Sequence, residues 1–269
     1  MADSICLINQ KGGCGKSSTC LHLAGAFAGS GMRVLLIDAD PQGSLSQGLL
    51  GSAAVENLPM EQTTAGLFDE RNFFGDLSKI IQETKFDRIW LAPANQHLSR
   101  FNTPCPEQTG MDQFAMRDFV AKQTNVDIVL IDCPPNLYRC SWNSMVAADY
   151  VVIPVPPEDF GTQGLRAVHQ AVLNARKLNP ELRRLGHVIT RSDRRLLIHR
   201  SYETKLRDAY ADLVFSTVIP EASAFKVATA CRQPVEHYQP SSVAASLTRT
   251  LSREILDRIS MKTKLRSVA

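Results

Sequence analysis

Long apolar runs are missing from this chain: no stretch approaches the roughly 18–20 residues that a membrane helix needs. The opening residues Met1-Ala-Asp-Ser-Ile-Cys-Leu-Ile-Asn lack the basic region and small-residue cleavage site of a signal peptide, so a cytoplasmic protein is expected. Paired cysteines are missing as well. Cys6, Cys14, Cys20, Cys105, Cys133, Cys140 and Cys231 are odd in number, and no two are spaced as Cys-x-x-Cys. That argues against a disulfide framework or a zinc site, and the cysteines in apolar runs read as small buried hydrophobes in a reducing compartment. Internal repeats, low-complexity tracts and an obvious linker are absent too. What remains is 269 residues with 44% hydrophobic and 21% charged side chains, ordinary for one α/β domain with a sizeable core, taken here as residues 1–269.

The net charge of +3 conceals an uneven distribution. Residues 176–207 carry +7, from ten Lys/Arg and three acids, and residues 249–269 carry +4, which leaves −8 on the rest. A basic region on an acidic body suggests a polyanionic partner, the alternative being a solvated helix face.

Short β-rich runs occur at residues 4–9, 33–38, 88–92, 126–132, 150–155, 186–190 and 214–219. Helical periodicity fills residues 17–28, 111–122, 162–177, 197–210 and 243–259. Strands separated by helices predict right-handed βαβ units and a doubly wound, mostly parallel sheet flanked by helices. Val129-Leu-Ile and Val151-Val-Ile do not alternate, as expected of strands covered on both faces. Residues 52–110 show only short helical stretches, near 64–68 and 77–83.

The first strand runs into Asn9-Gln10-Lys11-Gly12-Gly13-Cys14-Gly15-Lys16-Ser17-Ser18, and a helix follows. Strand, glycine loop and helix is the context of a phosphate cradle. Gly12, Gly13 and Gly15 let backbone N–H groups approach phosphates without an intervening Cβ, and the helix N-terminus adds its positive dipole end. Lys16 is placed to reach β- and γ-phosphates, and the Ser17 hydroxyl to ligate Mg²⁺. Gln10 replaces the first glycine of the usual motif, and a second lysine, Lys11, precedes Gly12.

Two further strands end in acids: Arg33-Val-Leu-Leu-Ile-Asp38-Ala-Asp40-Pro-Gln-Gly43 and Asp127-Ile-Val-Leu-Ile-Asp132-Cys-Pro-Pro135. Open α/β sheets bind ligands beyond the carboxyl ends of their strands. Uncompensated carboxylates there are costly, and a Mg²⁺ ion explains them.

These three motifs resemble the ParA/MinD group of deviant Walker ATPases, and within it small ParA-type partition ATPases without an N-terminal helix-turn-helix. The resemblance continues through Asn143-Ser-Met-Val-Ala-Ala-Asp-Tyr-Val-Val-Ile-Pro-Val155, Gly164, Val218-Ile-Pro220 and Gln233-Pro-Val235, nearly the whole length. It implies a P-loop NTPase fold that binds ATP or ADP with Mg²⁺ and hydrolyses ATP slowly. Nucleotide would be held by Lys11, Gly12, Gly13, Cys14, Gly15, Lys16, Ser17, Ser18 and Pro220. Mg²⁺ would be held by Ser17 and, through water, by Asp40 and Asp132. Lys11, Lys16 and Asp40 would be catalytic, with Lys11 reaching the phosphates of a partner subunit and Asp40 positioning water.

The resemblance also implies an ATP-dependent homodimer that binds duplex DNA nonspecifically in the nucleoid, with a ParB-type centromere-binding protein stimulating hydrolysis. Arg195 aligns with a DNA-contacting arginine of the family, and Arg191, Arg194 and Arg200 lie close by in sequence. Glu221 departs from the arginine that some relatives carry after Ile-Pro. Two alternatives stand. A MinD-like membrane cycle needs a C-terminal amphipathic helix, and Leu247, Leu251, Ile255 and Ile259 form a stripe better suited to packing on the body, followed by a basic tail poor in large apolar residues. An iron–sulfur carrier needs cysteine pairs at a spacing the chain lacks.

Overall fold

The computed structural model describes residues 2–69, 77–157 and 162–266. Seven strands form one sheet in the order β3-β4-β2-β5-β1-β6-β7. They are β1 Asp3–Leu7, β2 Val34–Asp38, β3 Gln82–Glu83, β4 Ile89–Ala92, β5 Ile128–Asp132, β6 Tyr150–Val155 and β7 Arg183–Ile189. All pairings are parallel except β3 with β4. β2 and β5 are buried along their whole length, which explains their unbroken apolar runs.

Helices cover both faces. On one, α1 (Lys16–Gly29) and α10 (Val243–Arg266) pack Leu21, Leu23, Phe27, Leu251, Ile255 and Ile259 against β1, β2 and β5. On the other, α4 (Ala115–Ala121), α5 (Arg139–Ala147) and α6 (Thr162–Ala175) supply Phe119, Trp142, Val168 and Val172. α7 (Leu197–Tyr210) adds Leu206 to the same face. Leu251, Ile255 and Ile259 of the expected stripe therefore pack on the body, whereas Leu247 is only half-buried. α1 is buried nearly all round because a small third cluster, built by α8 (Ser223–Ala230), α9 (Val235–Tyr238) and the start of α10, closes over its outer side. His22 of α1 is 3% exposed, and its Nδ1 accepts the Val235 N–H at 3.0 Å.

The helix expected at residues 111–122 begins as a 3₁₀ turn, Gly110–Phe114, and becomes α only at Ala115. Helices α2 (Ser44–Leu50), α3 (Ser52–Glu56), α5, α8 and α9 carried no legible periodicity. Residues 70–76, in the least legible stretch, and 267–269 of the basic tail lie outside the described residues.

One expected strand, residues 214–219, does not form. It runs beside β7, and Phe215 and Ile219 donate to His187 and Ile189 at 2.9 Å each. Between them, however, Ser216 and Thr217 direct their N–H groups to the Glu254 carboxylate of α10, at 2.7 and 3.0 Å. Arg258, one turn on, donates to the carbonyls of Leu185, Asp212 and Val214 and stacks on Phe215. Side chains of α10 thus take the place of part of a strand ladder.

β7 is itself irregular. Arg184 stands opposite Val151 and Gly186 opposite Val152, so Leu185 is an extra, bulged residue. Gly186 has φ of 151°, and a Cβ there would collide with the Leu213 carbonyl and the Arg258 guanidinium. Gly186→Ala is expected to cost about 2–3 kcal/mol of stability, measured by urea unfolding. An unchanged midpoint would mean the bulge relaxes freely.

Acid should also weaken the fold. Burial lowers the His22 pKa to about 4 and that of His187 to about 3. Both lie below the ordinary 6.5, so the unfolded chain takes up protons first, and stability present above pH 6.5 is lost as pH falls toward 4. Between pH 7 and 5 each histidine contributes a loss of about 2 kcal/mol. His22→Gln should show a visibly smaller drop over that interval. The same drop as wild type would remove His22 from the acid response.

Candidate functional site

β1 lies inside the sheet, between β5 and β6, and the chain leaves its carboxyl end into the glycine loop. Gly13 (φ 70°) and Gly15 (φ 90°) adopt left-handed conformations that turn the loop into α1. Gly15 caps α1 without a side-chain hydrogen bond, which leaves the first N–H groups of the helix to bind an anion. The Lys16 side chain is folded into the loop, its ammonium donating to the carbonyls of Asn9 at 3.1 Å and Lys11 at 3.4 Å.

The sheet register sets the acids beneath this loop. Asp38 and Asp132 are partners at the ends of β2 and β5, and both are fully buried. Asp38 is satisfied: it accepts from the Asp40 N–H at 3.0 Å and from the N–H and hydroxyl of Ser46 at 2.9 and 2.7 Å. Burial still raises its pKa to about 7. Asp132 has no hydrogen-bond partner on either oxygen. Burial pushes its pKa well up, the Asp38 charge adds to this, and the Ser17 hydroxyl and Lys16 ammonium pull the other way. A buried, unpaired carboxylate facing a serine hydroxyl, with Asp40 across the cleft, fits a hard divalent cation with oxygen ligands. Asp40 is 8% exposed, accepts from the Gln42 N–H at 2.9 Å, and has its pKa raised by burial.

These groups meet in one cleft of about 560 Å³. Gly12, Gly13, Cys14, Gly15, Lys16, Ser17 and Ser18 line it, with Asp40 and Pro220. Asp132 lies below its floor, and Lys11 lies outside its lining, with its own N–H held by Asn9 Oδ1 at 3.0 Å. A side chain added at Gly12 would meet no atom of this subunit within 4 Å, so the loop presents an open surface there.

The four arginines do not stay together. Arg194, Arg195 and Arg200 are exposed, and the Arg195 side chain, 89% accessible, forks onto Asp193, whose pKa falls to about 2. Arg191, with a positive φ of 54°, instead turns into the cleft. Its guanidinium donates to the Gly13 carbonyl at 2.7 Å and pairs with Glu221 at 3.3 Å, and Glu221 also pairs with Lys226 at 2.5 Å. Next to it, the Thr190 hydroxyl donates to the Cys14 carbonyl at 2.7 Å. Sequence reasoning missed this seam because Arg191 and Glu221 are 30 residues apart, and Glu221 stood out only as a departure from the arginine of some relatives. Phe225 and Thr229 complete an apolar end of the cleft. Five of the cysteines are buried and all seven are free; among the described residues no cluster of metal-ligating side chains occurs. Nor is any described helix long and apolar enough to cross a membrane.

Comparison with known proteins agrees with this geometry. The AAA domain family matches residues 2–184. The chromosome partitioning protein ParA of Caulobacter vibrioides is 33% identical over 258 residues, covering 94% of each chain. The chromosome-partitioning ATPase Soj of Thermus thermophilus is 32% identical, covering 95% of this chain and 96% of its own. Among solved structures, cobyrinic acid a,c-diamide synthase from Mycobacterium smegmatis with bound ATP analog and magnesium superposes with a TM-score of 0.78. It is 26% identical and covers 95% of this chain and 94% of its own. With the glycine loop, the paired aspartates and the parallel sheet in place, this chain belongs to the AAA domain family and, within it, to the ParA/Soj group of ATPases.

Proposed function

We propose that residues 1–269 form a single switch domain that binds ATP with Mg²⁺, dimerises around it, and in that state holds duplex DNA without sequence preference. Hydrolysis, stimulated by a ParB-type partner, ends the state and releases the DNA, so that a cargo is positioned. The observation that carries this reading is the seam described above. The segment bearing Arg194 and Arg195 is hydrogen-bonded through Thr190 and Arg191 to the carbonyls of Cys14 and Gly13 in the phosphate loop. A change in that loop is therefore felt by the basic surface.

Loop N–H groups from Gly12 to Ser18 and the Lys16 ammonium would hold the phosphates. Ser17 and Asp132, with Asp40, would hold Mg²⁺, which when bound neutralises phosphate charge. Asp40 would orient the attacking water, and Lys11 of one subunit would stabilise charge on the nucleotide of the other. Phosphoryl transfer needs mainly such positioning, and so sparse a site suits slow turnover. The open surface at Gly12 supports close approach of a second loop. Arg194, Arg195 and Arg200 would meet phosphates rather than bases, since the sequence carries no helix-turn-helix signature and little aromatic interleaving around them.

Lys16→Ala should lose nucleotide binding by at least about 100-fold, while Asp40→Ala should bind ATP normally and stop hydrolysing it, measured with a fluorescent ATP analogue and phosphate release. Normal turnover in Asp40→Ala would take that residue out of the mechanism. For the DNA step, wild type should shift arbitrary duplex only with ATP, and binding should weaken steeply with salt. Arg195→Glu should abolish the shift and leave nucleotide binding and dimerisation, followed by light scattering, intact. Equal binding by wild type and variant, or binding without ATP, would refute the assignment.

A further inference from the structure

The basic residues between 176 and 207 do not form one surface. Arg194, Arg195 and Arg200 follow the carboxyl end of β7, beside the nucleotide cleft, whereas Arg183 and Arg184 open the strand and Arg176 follows the end of α6. Seven residues of strand span about 23 Å. The two groups therefore stand at opposite poles, and a partner for the first leaves the second unexplained.

At the second pole a cavity of about 460 Å³ lies between α6 and β7. His169, Arg176, Arg183 and Arg184 line it, with Leu173 and Leu213 among its apolar walls. No carboxylate lines it among the described residues; the Glu181 carboxylate touches Arg183 from outside, at 3.7 Å.

The bulge builds this arrangement. In an unbroken strand Arg184 and His187, three residues apart, face opposite sides of the sheet. The extra residue at Leu185 brings them to the same side and sends Leu185 into the other core with Val188. His187 Nε2 then lies 3.0 Å from His169 Nε2, and both rings pack on Tyr210. The Nδ1 of His187 makes no well-formed hydrogen bond, although it nears the Leu213 carbonyl. Desolvation and the Arg184 charge hold both imidazoles below their ordinary pKa, and Arg258 adds to the effect on His187. Three arginines, Arg183 among them paired with Glu181, and a histidine around one concavity give it a positive character that an anion would complement, and guanidinium forks match phosphate oxygens. The volume is that of a small-molecule site, and the leucines suit an apolar substituent.

We propose that the cavity between α6 and β7 binds a small phosphate monoester, its phosphate on Arg176, Arg183 and Arg184 and its apolar part against Leu173 and Leu213.

The test follows the histidine ring resonances by NMR while protein saturated with ADP and Mg²⁺ is titrated with phenyl phosphate and with inorganic phosphate. His169 should move saturably and its apparent pKa should rise. Phenyl phosphate should bind more tightly than inorganic phosphate, by roughly tenfold, through its buried ring. Arg176→Glu, an exposed substitution that should leave the thermal midpoint unchanged, should weaken binding by at least about tenfold, and Arg184→Ala should do the same. His22 lines the nucleotide cleft and reports on that site separately. The proposal is overturned by the absence of a saturable His169 shift up to roughly 20 mM, where even a millimolar site is filled. It is equally overturned by undiminished binding in both variants, by shifts confined to His22, or by duplex DNA displacing phenyl phosphate, which would make the cavity part of a DNA surface.

Discussion

Beneath the phosphate loop the carboxylates of Asp38 and Asp132 stand on adjacent strands, and of the two only Asp38 has hydrogen bonds. Taking a carboxylate out of water costs several kcal/mol unless it is paired. Within this subunit the nearest relief for Asp132 is the Ser17 hydroxyl and the Lys16 ammonium, both delivered by the turn from β1 into α1. The sheet register, the left-handed glycines and the folded-in lysine are all bound to this arrangement. Moving β1 or α1 would carry away both of these groups that oppose the charge. A site poised in this way gains most from a ligand that brings both a cation for the acids and an anion for the loop.

The same economy of parts appears at the rim. Thr190 and Arg191 cross from the end of β7 to the carbonyls of the phosphate loop, and the next residues carry the exposed arginines. Arg191 is held from the other side by Glu221, itself paired with Lys226. Such partly exposed ion pairs stabilise little individually. They fix the direction of a guanidinium that would otherwise sample many rotamers, and so join two loops that are remote in sequence.

What could be read from residue order was the chemistry confined to a short stretch. The glycine loop, Asp38 with Asp40, and Asp132 each lie within about ten residues of a strong apolar run, and the βαβ alternation implied a mostly parallel sheet around them, though not its strand order. Features made by distant residues were not legible. Residues 214–219 have every mark of a strand, yet Glu254 takes the central N–H groups. Nothing around Leu185 announces a bulge except the glycine that follows it. Arg191 reads as one more member of a basic run until the fold turns it inward. Helices of four to nine residues, such as α9 and α5, are too short for a 3.6-residue period to emerge.

The clamp of Glu254 and Arg258 on the segment beside β7 also bears on how many copies of this chain can be crowded together. An open sheet edge is a template for pairing with another chain. Here one edge is β3, two residues long and antiparallel, and along the other the donors that a visiting strand would need are already occupied by α10. Copies of this chain held close together would therefore find few free ladder donors at either edge of the described sheet, which disfavours fusion of their sheets into aggregates.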